Sequence, residues 1–237
     1  MVREAIVGVE DNILHVREMM AEAARRSGRP PEAVRLMAVT KTVGDDRVLA
    51  AIRAGVACIG ENYVQEAKRK IEKLGKACEW HLIGRLQTNK AKVAVHLFDM
   101  IHSVDRLELA AELDRRARAA GRVIPVLIEV NIGGEESKSG IALNSALNLI
   151  RLTAPLENLS IRGLMTMPPW FDDPEESRPY FRALRELRDR IAGEAIPRVG
   201  MRELSMGMTD DYVVAIEEGA TIVRIGRGIF GERQAKP

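Results

Sequence analysis

The sequence predicts an α/β protein, built as a single (β/α)8 barrel of the TIM type with an extra helix at its amino terminus. Short apolar runs rich in β-branched residues alternate with amphipathic helical patterns along the whole chain. Eight of these units follow one another without a block of strands alone and without a linker. The length of 237 residues suits one barrel domain over residues 1–237. A doubly wound sheet is the alternative, because a single sequence does not fix the number of strands.

The extra helix comes first and is predicted from about Glu4 to Arg26. Its apolar residues recur at helical spacing and share one face: Val9, Ile13, Val16 and Met20. The segment Ser27-Gly28-Arg29-Pro30-Pro31 ends this helix, because glycine and proline interrupt helical structure.

The eight β–helix units follow this first helix. Strands are predicted at residues 34–40, 57–61, 79–84, 99–104, 123–130, 159–166, 203–206 and 221–225. Helices are predicted at residues 45–54, 62–74, 88–97, 106–120, 143–152, 175–192, 209–218 and from about 228. The fifth strand is apolar on both faces for most of its length, as parallel strands covered by helices are. The helix at 175–192 carries an apolar stripe formed by Tyr180, Phe181, Leu184, Leu187 and Ile191.

Composition argues against several classes of function. The net charge is only +2, and the basic runs Lys68-Arg69-Lys70 and Arg115-Arg116-Ala117-Arg118 lie beside acidic residues on helices. We interpret these runs as solvated faces and expect no nucleic-acid partner. Cys58 and Cys78 form no cluster with ligand spacing, which predicts buried free thiols and no metal site. The amino terminus has no apolar signal region and no stretch approaches a membrane span, so we expect a cytoplasmic protein without membrane contact.

Polar and glycine residues gather at the carboxyl ends of the predicted strands, where barrels place their ligand sites. One rim of the barrel therefore collects the candidate site. The residues expected to contact a ligand there are Lys41, Asn62, His81, Met165, Ser205, Gly207, Met208, Arg224, Gly226 and Arg227.

Lys41 stands at the end of the first predicted strand, directly after the apolar run Val34 to Thr40. An ammonium group costs several kcal/mol, as an order of magnitude, when it is buried without a partner. Partial desolvation lowers the pKa of a lysine, which is what a Schiff-base lysine requires. The alternative is a lysine whose stem covers the strand end while its head reaches water.

Two segments with glycine follow the seventh and eighth predicted strands, Ser205-Met206-Gly207-Met208-Thr209 and Gly226-Arg227-Gly228-Ile229-Phe230-Gly231. Barrels bind phosphate on these two loops through backbone N–H groups at helix starts. The second segment also fits the dinucleotide fingerprint, but that motif needs a second strand and an acidic residue about 20 positions further on. Only residues 232–237 follow, so we reject that interpretation. Simple turn glycines are the alternative to a phosphate site.

A lysine after strand one, combined with a phosphate site after strands seven and eight, predicts a ligand that carries an aldehyde and a phosphate. Pyridoxal 5′-phosphate (PLP) is such a ligand. Arg224 lies two residues before Gly226 on the same face of the strand, where its guanidinium can reach the ring nitrogen. The alternative for Arg224 is an ion pair with a rim carboxylate such as Glu61 or Glu129.

Several segments along nearly the whole chain also match a known family in order. They are Val39-Thr40-Lys41-Thr42, Ile59 to Glu66, Trp80 to Lys90, Ser137 to Gly140, Gly163 to Met167, Leu204 to Asp211, Val223 to Gly226 and Ile229 to Gly231. Together they resemble the pyridoxal phosphate homeostasis proteins, also called the PLP-binding protein or YggS/PROSC family. This family is similar to the amino-terminal barrel of alanine racemase and of eukaryotic-type ornithine decarboxylase.

The resemblance implies roles for particular residues. Lys41 would be the Schiff-base lysine and Arg224 the partner of the ring nitrogen, while Ser205, Gly207, Gly226 and residue 227 would hold the phosphate. Position 227 is often threonine in the family, so Arg227 departs from the pattern and can contribute its charge or only its backbone N–H. The family is described as binding the cofactor without an established catalytic activity and as affecting vitamin B6 and amino-acid balance.

Two hypotheses from different classes follow. The chain is a PLP-binding protein that stores, buffers or delivers the cofactor, with apo PLP-dependent enzymes as partners, or it is a small PLP enzyme of the racemase or decarboxylase type. We favour the first, because the related racemase needs a tyrosine base from a second domain and this chain is expected to end with the barrel. Lys138 is a candidate second lysine, with pairing to Glu135 or Glu136 as the alternative. We expect a monomer or a weak homodimer.

Overall fold

A computed structural model describes residues 8–135 and 138–232 of the chain. Its strands are β1 (Arg35–Val39), β2 (Cys58–Glu61), β3 (Glu79–Leu82), β4 (Met100–Val104), β5 (Ile124–Asn131), β6 (Ile141–Ala142), β7 (Leu159–Met165), β8 (Val199–Ser205) and β9 (Ile222–Ile225). Its helices are α1 (Val9–Arg26), α2 (Asp45–Arg53), α3 (Val64–Leu74), α4 (Ala91–Leu97), α5 (Leu107–Ala119), α6 (Ala146–Thr153), α7 (Arg178–Gly193), α8 (Tyr212–Glu217) and α9 (Arg227–Phe230). Short 3-10 turns precede α4, α6 and α7.

Eight of the described strands close into a parallel barrel. Their order around the barrel is β1, β2, β3, β4, β5, β7, β8 and β9, and β9 pairs with β1. The pairing of β4 with β5, through Ile101 and Val126, completes the ring, so the predicted barrel is confirmed and the doubly wound sheet is wrong. The two-residue strand β6 pairs only with the end of β5 and stands outside the barrel. The seventh and eighth predicted strands are therefore β8 and β9.

The amino-terminal helix α1 covers part of the barrel that the last helix is too short to cover. Helix α9 has four residues, and α1 packs beside it and against α2 and α8. Asn12 Nδ2 donates a hydrogen bond to the Ile229 carbonyl at 2.9 Å, which ties the two helices together. The buried face of α1 carries Ile13, Val16 and Met20, as predicted. The predicted first residues of this helix, 4–7, lie outside the described residues.

Side-chain alternation separates the barrel interior from the layer between sheet and helices. Along β1, Ala38 joins the large core under the helices, whereas Met37 and Val39 join an interior cluster with Cys58, Ile83 and Ile222. Lys41 continues the inward series from Met37 and Val39. Arg224 likewise follows Ile222 by two residues on β9. The alternation therefore places both predicted site residues on the inner side.

One strand boundary differs from the prediction. Strand β8 begins at Val199 rather than at 203, because its first half contains Gly200 and the exposed Arg202, which hide the apolar pattern. The other predicted strands agree with the structure to within about two residues. Within the ranges that the structure describes, no helix combines the length and the apolar character needed to cross a membrane.

Candidate cofactor site

Lys41 lies in the turn that follows β1, as predicted from its place after the apolar run. The Val43 N–H donates to the Thr40 carbonyl at 3.0 Å and closes this turn. Thr42 has a φ of +64°, a left-handed conformation that β-branched residues rarely adopt. The lysine side chain is half-buried at the mouth of the barrel. The turn thus presents a half-buried lysine at the rim, next to a strained backbone position.

Arg224 occupies the barrel interior below this rim. Its side chain is buried, its Nη1 donates to Ser205 Oγ at 2.8 Å, and its Nη2 donates to the Thr166 carbonyl at 2.8 Å. Burial lowers the pKa of Arg224 to about 10, a shift that the nearby carboxylates of Asp211 and Glu129 oppose, so the group stays charged at neutral pH. The ion pair with Glu61 or Glu129 that the sequence left open is not formed, since the Arg224 guanidinium has only these two hydrogen-bond partners among the described residues.

Glu129 is a buried carboxyl group near the end of β5. Burial raises its pKa to about 7, and the Asp105 carboxylate adds to this shift. The positive charges of Arg224 and Arg85 oppose it. A carboxyl group that titrates near neutral pH therefore faces the same interior as Arg224.

Ser205 connects Arg224 to a series of hydrogen bonds that crosses the barrel. Ser205 Oγ lies 3.0 Å from His102 Nδ1, and His102 Nε2 lies 3.0 Å from His81 Nδ1. His81 Nε2 in turn lies 3.2 Å from Glu79 Oε2, at the amino end of β3. The predicted contact residue His81 is thus buried inside the barrel and is linked to Arg224 through His102 and Ser205.

The donors and acceptors in this series have one consistent direction. The Arg224 guanidinium only donates and the Glu79 carboxylate only accepts, and the hydrogen bond from His81 holds the pKa of Glu79 below its usual range. Burial holds the pKa of His102 well below its usual value, so that ring is neutral. A series that runs in one direction toward Glu79 has His81 Nε2 donating to Glu79, His102 Nε2 donating to His81 Nδ1, and Ser205 donating to His102 Nδ1 while it accepts from Arg224.

The loops after β8 and β9 leave backbone donors without acceptors. Among the described residues, none accepts a hydrogen bond from the N–H groups of Gly207 or Gly226. Arg227 is the first residue of α9, so its N–H has no acceptor within that helix. The two loops adjoin, because the Arg224 N–H donates to the Gly207 carbonyl at 3.0 Å. The Arg227 side chain forms ion pairs with Asp210 and Glu232 at the surface. The predicted phosphate site therefore depends on these N–H groups, since α9 is too short to contribute a helix dipole of consequence.

The other predicted contact residues, Asn62, Met165 and Met208, lie at the rim of the barrel or just below it. Asn62 is half-buried after β2, and its backbone lies so close to Gly84 that a side chain at Gly84 would overlap it. Met165 is fully buried and packs with Met100 and Leu127 below the rim. Met208 donates its N–H to Asp211 Oδ1 at 2.6 Å, which shapes the loop after β8.

Lys138 lies at the same rim but its ammonium has partners. Its Nζ lies 2.6 Å from Glu135 Oε1 and donates to the Pro168 carbonyl at 3.0 Å. This geometry agrees with the alternative of a lysine paired with Glu135; residue 136 lies outside the described residues. Lys138 therefore joins the loop after β5 to the loop after β7.

These residues fit PLP as a set. A half-buried lysine at the end of β1, a buried guanidinium two strand positions before Gly226, and the backbone N–H groups of the loops after β8 and β9 match an aldehyde, a ring nitrogen and a phosphate. Sequence reasoning missed His102 as a link to this site, although its place on the strand next to His81 was a usable signal.

Comparison with known proteins identifies the family. Residues 12–234 match the family model of the alanine racemase N-terminal domain. A pyridoxal phosphate homeostasis protein from Aquifex aeolicus (strain VF5) is 46% identical over 225 residues, which cover 94% of this chain and 98% of that protein. The chain belongs to the pyridoxal phosphate homeostasis protein family. The resemblance inferred from the motifs is confirmed.

Solved structures agree with this membership in the homeostasis-protein family. PipY of Synechococcus elongatus PCC7942, solved with PLP bound, aligns with a TM-score of 0.80 and 36% identity over 91% of this chain and 100% of that chain. Alanine racemase of Clostridium difficile 630 aligns with a TM-score of 0.77 and 14% identity, over 97% of this chain and 58% of that chain. The racemase likeness shows a shared barrel fold and carries no information about chemistry.

Proposed function

We propose that this chain binds PLP covalently through Lys41 at the rim of the barrel and takes part in PLP homeostasis. The observation that carries the proposal is the placement of two cations on neighbouring strands, since Lys41 follows β1 and Arg224 belongs to β9, both on the inner side. The relatives named for pyridoxal phosphate homeostasis and the structure of PipY with PLP bound support it.

Each residue of the site has a distinct task in this proposal. When bound, the cofactor supplies an aldehyde for attachment and a conjugated ring that accepts electrons. Lys41 supplies the primary amine that condenses with the aldehyde and releases one water molecule. Arg224 orients the ring from inside the barrel while Ser205 and the Thr166 carbonyl fix its guanidinium. The N–H groups of Gly207, Gly226 and Arg227 hold the phosphate.

We propose that the chain holds PLP rather than using it for catalysis. Arg224 can only donate a hydrogen bond, so it leaves the ring nitrogen unprotonated and weakens electron withdrawal. Tyr63 is 61% exposed and Tyr180 packs on Phe171, so neither is arranged as a buried proton donor. The relatives are named as homeostasis proteins, which supports a role in storage or delivery to apo PLP-dependent enzymes.

Absorption spectroscopy tests cofactor binding directly. PLP titrated into the parent protein should produce the visible absorption of a Schiff base, and Lys41→Ala should abolish it. Lys92→Ala, which changes an exposed lysine on α4, is the matched control and should behave like the parent. A full Schiff-base spectrum in Lys41→Ala would refute the assignment.

Isotope exchange distinguishes the carrier from a small enzyme. Amino acids such as alanine and serine are incubated with the PLP-loaded protein in deuterated water, and deuterium at the α-carbon is measured. A carrier without a positioned second base should show exchange far below about 1 s⁻¹, the lower end of ordinary enzyme turnover. Exchange at or above that rate would establish the enzyme hypothesis instead.

A further inference from the structure

Lys70 on α3 is a fully buried lysine outside the cofactor site. The sequence placed it in a solvated basic run, and that interpretation is wrong for this residue, because its side chain is 0% exposed. Its ammonium lies 2.7 Å from Glu61 Oε1 and 2.8 Å from Glu66 Oε1, and donates to the Thr40 carbonyl at 2.5 Å. These three acceptors match the three N–H donors of an ammonium group. We call Thr40, Glu61, Glu66 and Lys70 the Lys70 cluster.

The Lys70 cluster forms hydrogen bonds with the backbone on both sides of Lys41. Before the lysine, Thr40 donates its hydroxyl to Glu61 Oε1 at 2.5 Å, in addition to the bond that its carbonyl accepts from Lys70. After the lysine, the N–H of Thr42 donates to Glu66 Oε1 at 2.8 Å. Thr42, the residue of this turn with a positive φ, is therefore held by the cluster through Glu66.

The cluster acts from the outer side of the barrel wall. Ile59 on β2 packs into the core under the helices, and Glu61 follows it by two residues on the same side, where it meets α3. Thr40 likewise follows Ala38 of β1 by two residues and lies on the same outer side as Ala38. Lys41 alternates to the inner side. The buried ion pair of the Lys70 cluster thus contacts the turn from the outer, helix-facing side, and Lys41 lies on the inner side.

We propose that Lys70, Glu61 and Glu66 are positioning residues, which hold the turn after β1 so that the Lys41 amine meets the cofactor aldehyde at the mouth of the barrel. This inference rests on the proposed function. Burial raises the pKa of Glu61 and the charge of Lys70 opposes that shift, so removal of Lys70 leaves a buried carboxyl group without its cation. Loss of the ammonium should release the Thr40 carbonyl and loosen the turn.

The test compares two lysines on the same helix. Lys70→Met removes the buried ammonium and keeps much of the side-chain volume, whereas the control Lys73→Met removes an exposed lysine that pairs with Asp45. Far-UV circular dichroism first establishes a temperature at which both variants are folded. There we expect Lys70→Met to slow covalent capture of PLP by about tenfold or more, because small displacements of reacting groups are costly. Lys73→Met should capture PLP at the parent rate.

Two further readouts separate positioning from general damage. Lys70→Met should slow the capture of unphosphorylated pyridoxal by the same factor as PLP, because the change acts on the amine and not on the phosphate loops. Hydrogen exchange at the Thr42 amide should accelerate in the cofactor-free variant. If Lys70→Met does not fold, Glu66→Ala removes the acceptor of the Thr42 amide from a partly exposed position and serves in its place.

The outcomes distinguish this inference from the proposed function. Parent-like capture rates in the folded Lys70→Met variant, or in Glu66→Ala if that variant replaces it, would overturn the positioning role. A loss confined to PLP and absent with pyridoxal would also overturn it. Unchanged hydrogen exchange at the Thr42 amide in the Lys70→Met variant would show that the cluster does not hold the turn. If the parent protein itself forms no covalent bond through Lys41, the proposed function fails instead.

Discussion

Glu129 is the residue whose ionisation most directly affects stability near neutral pH. Its pKa rises to about 7 in the folded protein from an ordinary value of 4.5, chiefly because the group is buried. Between these two values the folded protein retains a proton that the unfolded chain releases. Raising the pH across this window therefore lowers the free energy of unfolding. The stability that the retained proton of Glu129 provides at low pH is fully lost above about pH 7.

Replacement of Glu129 by glutamine should remove this pH dependence. A shift of this size corresponds to about 3 kcal/mol as an order of magnitude, so Glu129→Gln should raise the free energy of unfolding by up to that amount at pH 8. The gain should shrink toward pH 4.5, where the parent carboxyl is neutral in the folded protein and only half ionised in the unfolded chain. Urea denaturation of both proteins from pH 4.5 to 8 measures this difference. A constant offset across the range would contradict the account.

Residues differ in how far the sequence alone could predict their roles. Lys41 and Arg224 could be proposed from the sequence because a strand end and a two-residue alternation are local patterns, and their roles toward the cofactor stay predictions. Lys70 was misread, since a basic run on a helix gives no sign that one member faces a buried carboxylate, Glu61, on a neighbouring strand. His102 was missed as a link for the same reason, because its partners come from β3 and β8.

Among the elements, the loop that joins β8 to α8 depends on one glycine. Gly207 has a φ of +90°, and a Cβ atom there would lie 2.5 Å from the Ala215 Cβ. Its carbonyl also accepts the hydrogen bond from the Arg224 N–H. The loop can therefore turn over the end of β9 only with a residue that lacks a side chain.

Gly207→Ala should destabilise the protein and weaken its hold on phosphate. The left-handed backbone alone costs about 1–2 kcal/mol for alanine, and the overlap with Ala215 adds to that cost. Gly193→Ala, at the end of α7 with open space around its Cβ position, is the control and should leave stability nearly unchanged. Urea denaturation and PLP titration measure both effects. A fully stable Gly207→Ala protein with parent affinity would refute this account of the loop.

Element boundaries were predicted well wherever the hydrophobic period was undisturbed. The stripe of α7 is buried at Phe181, Leu184, Leu187 and Ile191, while Tyr180 is only half-buried and contacts Phe171. The start of β8 was missed because Gly200 and Arg202 interrupt its pattern. The two-residue β6 is too short to produce any period at all.

At the scale of the whole molecule, a hydrogen-bond series links the two ends of the barrel. It begins at Glu79, whose side chain is 54% exposed at the amino end of β3, and reaches Arg224 below the cofactor rim. A donor-only guanidinium at one end and an acceptor-only carboxylate at the other favour a single direction of hydrogen bonding between them. A surface carboxylate is thereby coupled to the arginine that is proposed to orient the cofactor.

This arrangement predicts the tautomers of both interior histidines. Long-range ¹H–¹⁵N correlation spectra should show that Nε2 is the donor and Nδ1 the acceptor in both His81 and His102. His15 and His96 are exposed and serve as internal references, with mixed tautomers in fast exchange. A proton on Nδ1 of either interior ring would break the proposed direction of the series.

The central claim is that Lys41 carries PLP at the mouth of this barrel. The most direct measurement is borohydride reduction of the PLP-loaded protein, followed by peptide mass mapping of the pyridoxyl group. The account predicts a single stoichiometric adduct on the peptide that contains Lys41, and none on that peptide when PLP is omitted. An adduct found only on another lysine, such as Lys138, would contradict it.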